Sequence, residues 1–360
     1  MKVLIVSRAF HPIIAPRSFR ATELAKELAH QGHEVTVLTH KRDFNYSKFE
    51  TKFNLKINDF VKGRWVELKG NNILIRALRF FLNYLILFPD IQLTGMLKKD
   101  LKNYSDFDLL ISIAVPYSVH WGVALAKNKN SKLCKVWVAD CGDPFMGNRE
   151  LKFKHPFYFH LVEKWFCNKP DFISIPIEEA IQAYPKNCRN KIKVIPQGFS
   201  FSKNAIKARP NNEVLTFAYA GVLNQEYRDP SEFLEYISSI DLPFKFVVYT
   251  KNTDALSHFK TVLADKLLIH DYIDRKQLLK ELSCMDFLIN FENKNKFQSP
   301  SKLIDYALSN RPILSIKPGS LNKTIVDEFF SNDYTNSMKI DDIEKFNIKN
   351  VSKKFIELAL

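Results

Sequence analysis

Residues 2–38 read KVLIVSRAFHPIIAPRSFRATELAKELAHQGHEVTVL. The stretch begins with an apolar run, Val3 to Val6, continues with apolar positions at helical spacing, and ends in a second apolar run, Val35 to Leu38. This spacing predicts a strand, a helix and a strand, with Ser18 as the N-cap of the helix and Gly32 just beyond its end. A strand–helix–strand unit of this length predicts a parallel sheet with a right-handed crossover.

The alternation of strand-like and helix-like segments continues through most of the chain. Nearly continuous apolar runs, typical of strands covered on both faces, predict further strands at residues 109–113, 136–139, 172–175, 215–220, 244–249, 267–269, 287–290 and 313–316. The pattern restarts after residues 195–198, and the polar residues 202–212 have the composition of a linker. We therefore predict an α/β protein with two domains, residues 1–196 and 197–345, and a C-terminal helix over residues 346–360 that packs back on the first domain.

Composition narrows the class of protein. The chain has 360 residues, enough for two domains, and its 46% hydrophobic and 26% charged residues are typical of a globular protein. Its net charge of +14 favours phosphate-bearing ligands, anionic membranes or nucleic acid as partners. The five cysteines form no Cys-x-x-Cys pair, which argues against a disulfide framework and a structural zinc site. The first apolar run is too short for a signal peptide, so we expect a cytoplasmic protein.

One strongly apolar segment, Ile73 to Phe88, allows two interpretations. Arg76, Arg79 and Asn83 interrupt it and share one helix face, which leaves a broad apolar remainder. The segment is too short and too charged to cross a bilayer. It is either a buried helix or part of a helix–helix contact, or it is an interfacial helix that meets a membrane or a lipid-linked substrate. Three lysines within residues 98–102 would favour anionic headgroups in the second case.

The most informative residues for chemistry are 298–314, QSPSKLIDYALSNRPIL. Ser299 is a predicted N-cap, Pro300 suits the first helical position, and Asn310 can end the helix in a left-handed conformation. Lys302 then lies in the first turn, where a cation opposes the helix dipole. An anion bound by Lys302 and the free N–H groups would remove this conflict, because the two together form a phosphate site.

The neighbouring carboxylate leaves two interpretations open. Asp305, one turn beyond Lys302, could accept hydrogen bonds from ribose or sugar hydroxyl groups. Alternatively, Lys302 and Asp305 form an ordinary solvated pair on an exposed helix face, which is common and contributes little to stability.

Residues 298–314 resemble the C-terminal donor-site segment of family 4 glycosyltransferases, in the branch with a Pro-Ser-Lys-x-x-Glu/Asp-Tyr pattern. The resemblance extends over nearly the whole chain. Five further motifs occur in the family's order: FHP at 10–12 with Arg20, GHEV at 32–35, WVADCGDPF at 137–145, IPQGF at 195–199, and AGVL at 220–223 with Arg228.

The resemblance implies a GT-B fold, in which two Rossmann-like domains with parallel sheets face a central cleft. It implies that a nucleotide-sugar donor binds mainly to the second domain and a saccharide acceptor to the first. The donor-binding candidates carried over by position are Gly221, Arg228, Ser299, Ser301, Lys302 and Asp305. The catalytic candidates are His120 and Asp143, and the further candidates in the first loop are His11 and Arg17.

Several of these candidates also have ordinary structural interpretations. Gly221 could be a turn glycine, and Arg228 could be a surface arginine beside Asp229. A lone histidine such as His120 is more often structural than catalytic. Asp140 is the candidate for a purely structural carboxylate, with side-chain hydrogen bonds that cap the turn after its strand.

Three departures from the family pattern concern the site. Residues 15–17, Ala-Pro-Arg, stand where the family often has two glycines near the donor phosphates. Phe297 occupies the position of a frequent glutamate, eight residues before Asp305. Asp305 itself replaces the more common glutamate and has a shorter reach.

Glycosyl transfer separates an anionic leaving group from an oxocarbenium-like sugar. Lys302, Arg228 and helix N–H groups could stabilise a diphosphate without a metal. The Asp-x-x-Asp occurrences at 140–143 and 271–274 are too common a pattern to indicate a metal site. We expect neither a metal nor a cofactor, and the resemblance implies a retaining transfer.

We therefore expect a cytoplasmic, peripheral-membrane glycosyltransferase that extends a lipid-linked saccharide for a surface polysaccharide, capsule or lipopolysaccharide. One alternative is a nucleotide-sugar 2-epimerase of the same fold, which needs no acceptor. Another is a non-enzymatic polyanion-binding protein, but the basic residues are scattered, and no nucleic-acid partner is expected. An NAD-dependent enzyme is disfavoured because no Gly-x-Gly-x-x-Gly follows the first strand.

Overall fold

The structure is a computed structural model that describes residues 1–60, 65–148, 153–201, 212–223, 228–292, 302–340 and 342–360. The chain forms two compact units. Unit 1 consists of Met1–Ser200 and Lys345–Leu360, and unit 2 consists of Phe201–Glu344.

Unit 1 is built on a seven-stranded sheet. Its strands are β1 (Lys2–Ser7), β2 (Glu34–Thr39), β3 (Lys56–Asp59), β4 (Phe107–Ile113), β5 (Cys134–Asp140), β6 (Phe172–Ile175) and β7 (Ile192–Val194). All neighbouring strands pair in parallel, in the order β3-β2-β1-β4-β5-β6-β7. The direction of strand addition reverses between β1 and β4, which makes the carboxyl ends of these two strands the topological switch point.

The helices of unit 1 cover both faces of this sheet. They are α1 (Pro16–His30), α2 (Tyr46–Phe53), α3 (Ile73–Ile86), α4 (Gln92–Asp100), α5 (Ser118–Lys127) and α6 (Phe159–Cys167). In β1, Leu4 and Val6 belong to one buried cluster, whereas Val3 and Ile5 belong to the other. Because successive side chains point to opposite faces, burial of both faces explains why the strand is a continuous apolar run.

Unit 2 repeats the same architecture on a smaller scale. Its strands are β8 (Leu215–Ala220), β9 (Phe244–Tyr249), β10 (Leu267–His270), β11 (Phe287–Phe291) and β12 (Ile313–Ile316). Its helices are α7 (Ser231–Ser238), α8 (Ser257–Leu263), α9 (Arg275–Ser283), α10 (Lys302–Ser309) and α11 (Lys323–Phe330). The parallel order is β10-β9-β8-β11-β12, so the switch point lies between β8 and β11. The predicted α/β fold with two parallel sheets is confirmed.

The last helix, α12 (Ile348–Glu357), belongs to unit 1 although it follows unit 2 in the chain. Asn347 caps it by accepting a hydrogen bond from the Lys349 N–H. Its buried residues Val351 and Phe355 join the same core cluster as α1. The Gln31 side chain also donates a hydrogen bond to Ser352 Oγ at 2.8 Å, which ties the end of α1 to α12.

The first helix differs from the prediction at its start and agrees at its end. α1 begins at Pro16 with Ala15 as an N-cap that makes no side-chain hydrogen bond, so the predicted Ser18 cap is wrong and Ser18 is buried inside the helix. Proline suits the first helical position because its fixed φ is helical and its missing N–H would be unpaired there. Gly32 has φ +85° just beyond the end of the helix, as predicted.

Helix α3 turns its apolar face to solvent, so the interpretation of Ile73 to Phe88 as a buried helix is wrong. Leu74, Leu78, Phe81 and Leu85 follow one another at helical spacing, and they are 75%, 47%, 58% and 45% exposed. We call these four residues the α3 stripe. None of the described helices is long and apolar enough to cross a membrane.

Polar contacts join α3 to the residues that flank it and to the neighbouring α6 region. Arg79 donates a hydrogen bond to the Gly70 carbonyl, and Asn83 Nδ2 donates to the Phe88 carbonyl at 3.2 Å. Tyr158 Oη donates to the Leu85 carbonyl. Arg79 is partly buried, but Arg76 and Asn83 are exposed and no residue of α3 is fully buried, so the helix is largely open to solvent on both faces.

Candidate functional site

The switch point of unit 2 brings together the residues that follow β8 and β11. Gly221 comes directly after β8 and donates its N–H to the Tyr249 carbonyl at 3.0 Å. Its φ is +146°, a conformation that L-residues rarely adopt, and a Cβ there would lie 3.1 Å from Tyr219 Oη. This position therefore needs glycine for a backbone reason, and the turn it forms opens at the carboxyl edge of the sheet.

Lys302 lies at the same edge, at the start of α10. Its Nζ donates a hydrogen bond to the Phe291 carbonyl at the end of β11, at 3.3 Å, and lies 4.4 Å from the centre of the Tyr219 ring. The ammonium thus contacts a carbonyl dipole and an aromatic face. Within the described ranges no carboxylate lies within ion-pair distance of Lys302.

Two positive charges, those of Lys302 and Arg228, lie close together in this corner. Burial, and then the nearby charge of Arg228, lower the pKa of Lys302 well below its ordinary value. Burial raises the pKa of Tyr219 to about 12, although Arg228 acts in the opposite direction on that hydroxyl. A second cation that disfavours the charge of Lys302, beside a glycine turn, forms an arrangement that an anion would stabilise.

Two tyrosines that sequence reasoning did not select support this corner. Tyr306, fully buried on α10, accepts a hydrogen bond from the Ala220 N–H at 2.9 Å through its hydroxyl oxygen. Tyr219 donates its hydroxyl hydrogen to the Val222 carbonyl at 2.9 Å. The two hydroxyl groups fix the backbone on both sides of Gly221. Tyr306 was visible as part of the Lys-x-x-Asp-Tyr pattern, whereas nothing in the sequence distinguished Tyr219 from an ordinary strand residue.

Asp305 has a different partner from the one considered in the sequence. Arg275, the first residue of α9, places Nε at 2.8 Å and Nη2 at 2.7 Å from Asp305 Oδ1. The solvated Lys302–Asp305 pair is therefore wrong, and the Asp305 carboxylate is only 16% exposed. Burial raises the pKa of Asp305, while the Arg275 guanidinium opposes that rise. Its predicted contact with a sugar hydroxyl stays a prediction, and so does the donor role of Gly221 and Arg228.

The other two donor-binding candidates, Ser299 and Ser301, lie outside the described residues. Asn310 has φ +52° at the end of α10, as predicted for a left-handed cap. Tyr306 is fully buried on α10 and Ile304 is buried as well, whereas Leu303 is partly buried against the core.

In unit 1, His120 is fully buried on α5. Trp137 Nε1 donates to Ser112 Oγ at 2.8 Å, and the same oxygen lies 2.7 Å from His120 Nδ1. His120 Nε2 lies 3.5 Å from Cys141 Sγ, and the ring stacks on Phe166. Burial lowers the pKa of His120 to about 3, which keeps the ring neutral. The histidine would act from beneath the surface, and its predicted catalytic role stays a prediction.

The carboxylate of Asp140 is a structural group, although it forms an ion pair rather than the predicted turn cap. Arg20 binds it through Nε at 3.1 Å and Nη2 at 3.0 Å, and Ser174 Oγ donates to it at 2.7 Å. Burial raises the pKa of Asp140, but Arg20, Arg17 and Ser174 more than offset that rise, so the pKa is lowered. Asp143, three residues on, is partly exposed, and its carbonyl accepts a hydrogen bond from Tyr117.

The first-loop candidates lie at the carboxyl edge of the unit 1 sheet. Arg17 places Nη1 3.5 Å from Asp140 Oδ2, and its guanidinium lies directly against Gly142, where a Cβ would come within 2.2 Å of Arg17 Cζ. His11 stacks on Phe49 with ring centres 5.0 Å apart, and burial, then Lys26, lower its pKa. Among the residues whose positions are described, no group of three or more His, Cys, Asp or Glu side chains could hold a metal ion.

Comparison with known proteins bears on the family and the fold of the chain. The sequence model of glycosyltransferase family 4 matches residues 19–203. No curated protein matches the sequence.

Three solved structures share the fold over nearly the full length. A glycosyltransferase from Rickettsia africae ESF-5 is 11% identical, with a TM-score of 0.66 and coverage of 99% of this chain and 97% of that one. The apo form of the lipopolysaccharide outer core galactosyltransferase WaaB is 12% identical, with a TM-score of 0.63 and 99% coverage of both chains. UDP-GlcNAc 2-epimerase from Neisseria meningitidis is 12% identical, with a TM-score of 0.57 and 99% coverage of both. At these identities the likeness concerns the fold alone.

Proposed function

The chain belongs to glycosyltransferase family 4, and we propose that it transfers a sugar from a nucleotide-sugar donor to a saccharide acceptor in the synthesis of a surface polysaccharide. The observation that carries the proposal is the ammonium of Lys302 at the switch point of unit 2, which binds the Phe291 carbonyl and has Arg228 as a nearby like charge. A parallel sheet binds ligands at that edge. A lipopolysaccharide galactosyltransferase among the similar structures supports the same class of product.

In this proposal the two cations hold the diphosphate of the donor. The acceptor hydroxyl oxygen attacks the anomeric carbon as the bond from that carbon to the phosphate oxygen breaks. The departing phosphate takes the hydroxyl proton, and the configuration of the sugar is retained. Lys302 and Arg228 stabilise the negative charge that develops on the leaving group, so the step needs no metal.

The proposal is tested by thermal-shift measurements with UDP-, GDP- and ADP-sugars, followed by turnover assays with and without saccharide acceptors. We expect one nucleotide-sugar to stabilise the protein, because a ligand that binds only the folded state raises the melting temperature. Sugar transfer should require an acceptor. Conversion of the nucleotide-sugar alone into an isomer would assign the chain to the epimerase alternative, and the absence of any stabilisation would contradict a donor site.

We further propose that the acceptor is lipid-linked and that unit 1 docks on the membrane through helix α3. The α3 stripe offers apolar side chains to solvent on one helix face. Phe80 contacts Phe153 with ring centres 5.6 Å apart, and Phe153 and Phe157 are themselves 60% and 85% exposed. A continuous apolar area of this kind on a soluble unit is typical of a surface that meets a partner or a membrane.

Charge selects a membrane as the partner. The protein carries a net charge of +14, and exposed cations lie near the stripe in the chain, Arg76 on α3 and Lys99 on α4. Apolar side chains that enter the headgroup region, with lysines and arginines beside them, are the features of an interfacial helix on an anionic surface. The proposed surface is therefore the cytoplasmic leaflet of a membrane that contains acidic lipid.

The double substitution Leu74→Glu and Phe81→Glu should abolish flotation with vesicles that contain anionic lipid. Both side chains are exposed, so the melting temperature should change by no more than about 2 °C. Flotation and melting temperature are measured side by side at low and high salt, because screening weakens the electrostatic part of binding.

The matched control is the double substitution Leu242→Glu and Val262→Glu in unit 2, where each side chain is 53% exposed. It adds the same charge and removes similar apolar groups, and it should float as the parent protein does. Equal loss of flotation in both double variants, or a parent protein that stays soluble beside anionic vesicles, would contradict docking through α3.

A further inference from the structure

Unit 1 contains a pocket of about 470 Å³ that the donor chemistry does not use. It lies at the carboxyl ends of β2 and β3, where ligands bind in parallel sheets. Its lining residues are His40, Lys41, Arg42, Asp59, Trp65, Glu67 and Lys69. Three come directly after β2, one ends β3, and three belong to the segment that leads into α3. The volume is within the range of small-molecule sites.

The pocket carries a net positive charge, because its lining has three cationic side chains and two carboxylates. Asp59 Oδ1 accepts the Lys41 N–H at 3.4 Å, and Glu67 Oε1 accepts the Trp65 Nε1–H at 2.6 Å. The side chains of Lys41, Arg42 and Lys69 have no carboxylate within 4 Å in the described part of the chain. An anionic ligand could therefore pair with these three cations without displacing an existing ion pair.

The indole of Trp65 forms a fixed wall of this pocket. The side chain of Gln92 binds the backbone of Val66 on both sides, accepting its N–H at 3.2 Å and donating to its carbonyl at 2.8 Å. The Arg8 guanidinium lies 5.2 Å from the centre of the indole and is held by Asp90 at 2.8 Å. A rigid aromatic face with a polar N–H at its edge suits the apolar face of a sugar ring.

A second observation points to a missing ligand. His40 lines the pocket, and its Nδ1 is shielded from solvent and has no hydrogen-bond partner in the described part of the chain. Its ring lies 6.0 Å from the indole of Trp65, at an angle of 38°. Buried polar atoms in folded proteins are normally paired. A sugar hydroxyl at the Trp65 wall would supply the partner that His40 lacks once its ring rotates to bring Nδ1 toward the pocket.

We propose that this pocket binds an anionic saccharide, with a phosphate or carboxylate on Lys41, Arg42 and Lys69 and the sugar ring on Trp65. The inference rests on the proposed function and deepens it, because it makes the acceptor a charged glycan rather than a neutral one. Only three residues separate Lys69 from Ile73, the first residue of α3, so the pocket lies within about 15 Å of the proposed membrane surface along the chain. A lipid-linked acceptor could therefore place its charged end here.

The test is a binding titration by ligand-observed NMR with three sugars and no donor present. Methyl glucuronide carries a carboxylate, glucose 1-phosphate carries a phosphate, and methyl glucoside is neutral. We expect both anionic sugars to bind at least tenfold more tightly than the neutral one. The anionic sugar that binds more tightly identifies the source of the charge, which is either an acidic sugar or a sugar phosphate.

The double variant Lys41→Gln and Arg42→Gln should lose the tenfold preference for anionic sugars. Trp65→Ala should weaken the binding of all three sugars. The control is Lys48→Gln with Lys52→Gln, two exposed lysines on the nearby α2, which should bind as the parent does. Nucleotide-sugar stabilisation should be unchanged in every variant, because the donor site lies in unit 2. Equal binding of neutral and anionic sugars, or an unchanged preference in the double variant, overturns the pocket proposal. If no nucleotide-sugar stabilises the parent protein, the transferase proposal is contradicted instead.

Discussion

Lys302→Met should lower kcat/KM by about 100- to 1000-fold, which is the usual effect of removing one group that stabilises a developing anion. The same substitution should leave the melting temperature unchanged or raise it. Burial lowers the pKa of Lys302, so the folded protein disfavours the charged form, and this cost is present below the ordinary lysine pKa of 10.5. Methionine keeps the aliphatic stem against the Tyr219 ring and removes the charge. Activity should therefore fall while stability stays the same or rises, as expected for a residue at a binding site.

Lys323→Met is a closely matched control in the same unit. Lys323 also begins a helix, α11, and its Nζ lies 5.2 Å from the Tyr236 ring, but it is exposed and lies away from the switch point. We expect its kinetics and its stabilisation by nucleotide-sugar to match those of the parent. If Lys302→Met loses stability and keeps its activity, Lys302 is a structural residue and the proposed donor site is wrong.

The sheet could be predicted from the sequence because burial on both faces imposes a simple pattern. Strands β6, β8, β9 and β12 occur at the predicted residues, since each is a short and mostly apolar run with a single polar side chain. The strands that were missed lie at the two edges of the larger sheet. β3 reads Lys-Ile-Asn-Asp and β7 reads Ile-Lys-Val, so each has too few buried side chains to produce such a run.

The orientation of α3 could not be predicted, because periodicity shows that a helix has two faces but not which one is turned inward. Arg79 on α3 donates a hydrogen bond to the carbonyl of Gly70, which lies before the helix in the chain. Helical periodicity does not show such a contact. The same limit applies to the site. The helix that begins at Lys302 was predictable because its capping and core-facing residues follow one another in the chain. The partner of Asp305 was not, because Arg275 is 30 residues away.

Arg20→Met should destabilise unit 1 by about 3–5 kcal/mol, the usual cost of removing one partner from a buried ion pair. Arg20 is 2% exposed and holds four acceptors: both oxygens of Asp140, and the carbonyls of Ile195 and Pro196 at 3.3 and 2.6 Å. Its guanidinium also lies 5.0 Å from the Phe355 ring of α12. One side chain thus joins α1, the end of β5, the two residues that follow β7, and α12. Removal leaves a buried carboxylate and two buried carbonyls without their main donor.

Urea unfolding followed by tryptophan fluorescence measures this effect in unit 1, because all four tryptophans of the chain lie there. Asp140→Asn should give a loss of similar size, since it leaves the guanidinium without its counter-ion. Lys26→Met, which removes a partly exposed pair with Glu23 on the same helix, should cost about 1 kcal/mol or less. The difference in the free energy of unfolding between Arg20→Met and the parent should be largest at neutral pH. It should narrow as the pH falls through the lowered pKa of Asp140, because protonation removes the charge that Arg20 stabilises. A gap that stays constant with pH would assign the stability of this junction to packing and carbonyl hydrogen bonds rather than to the ion pair.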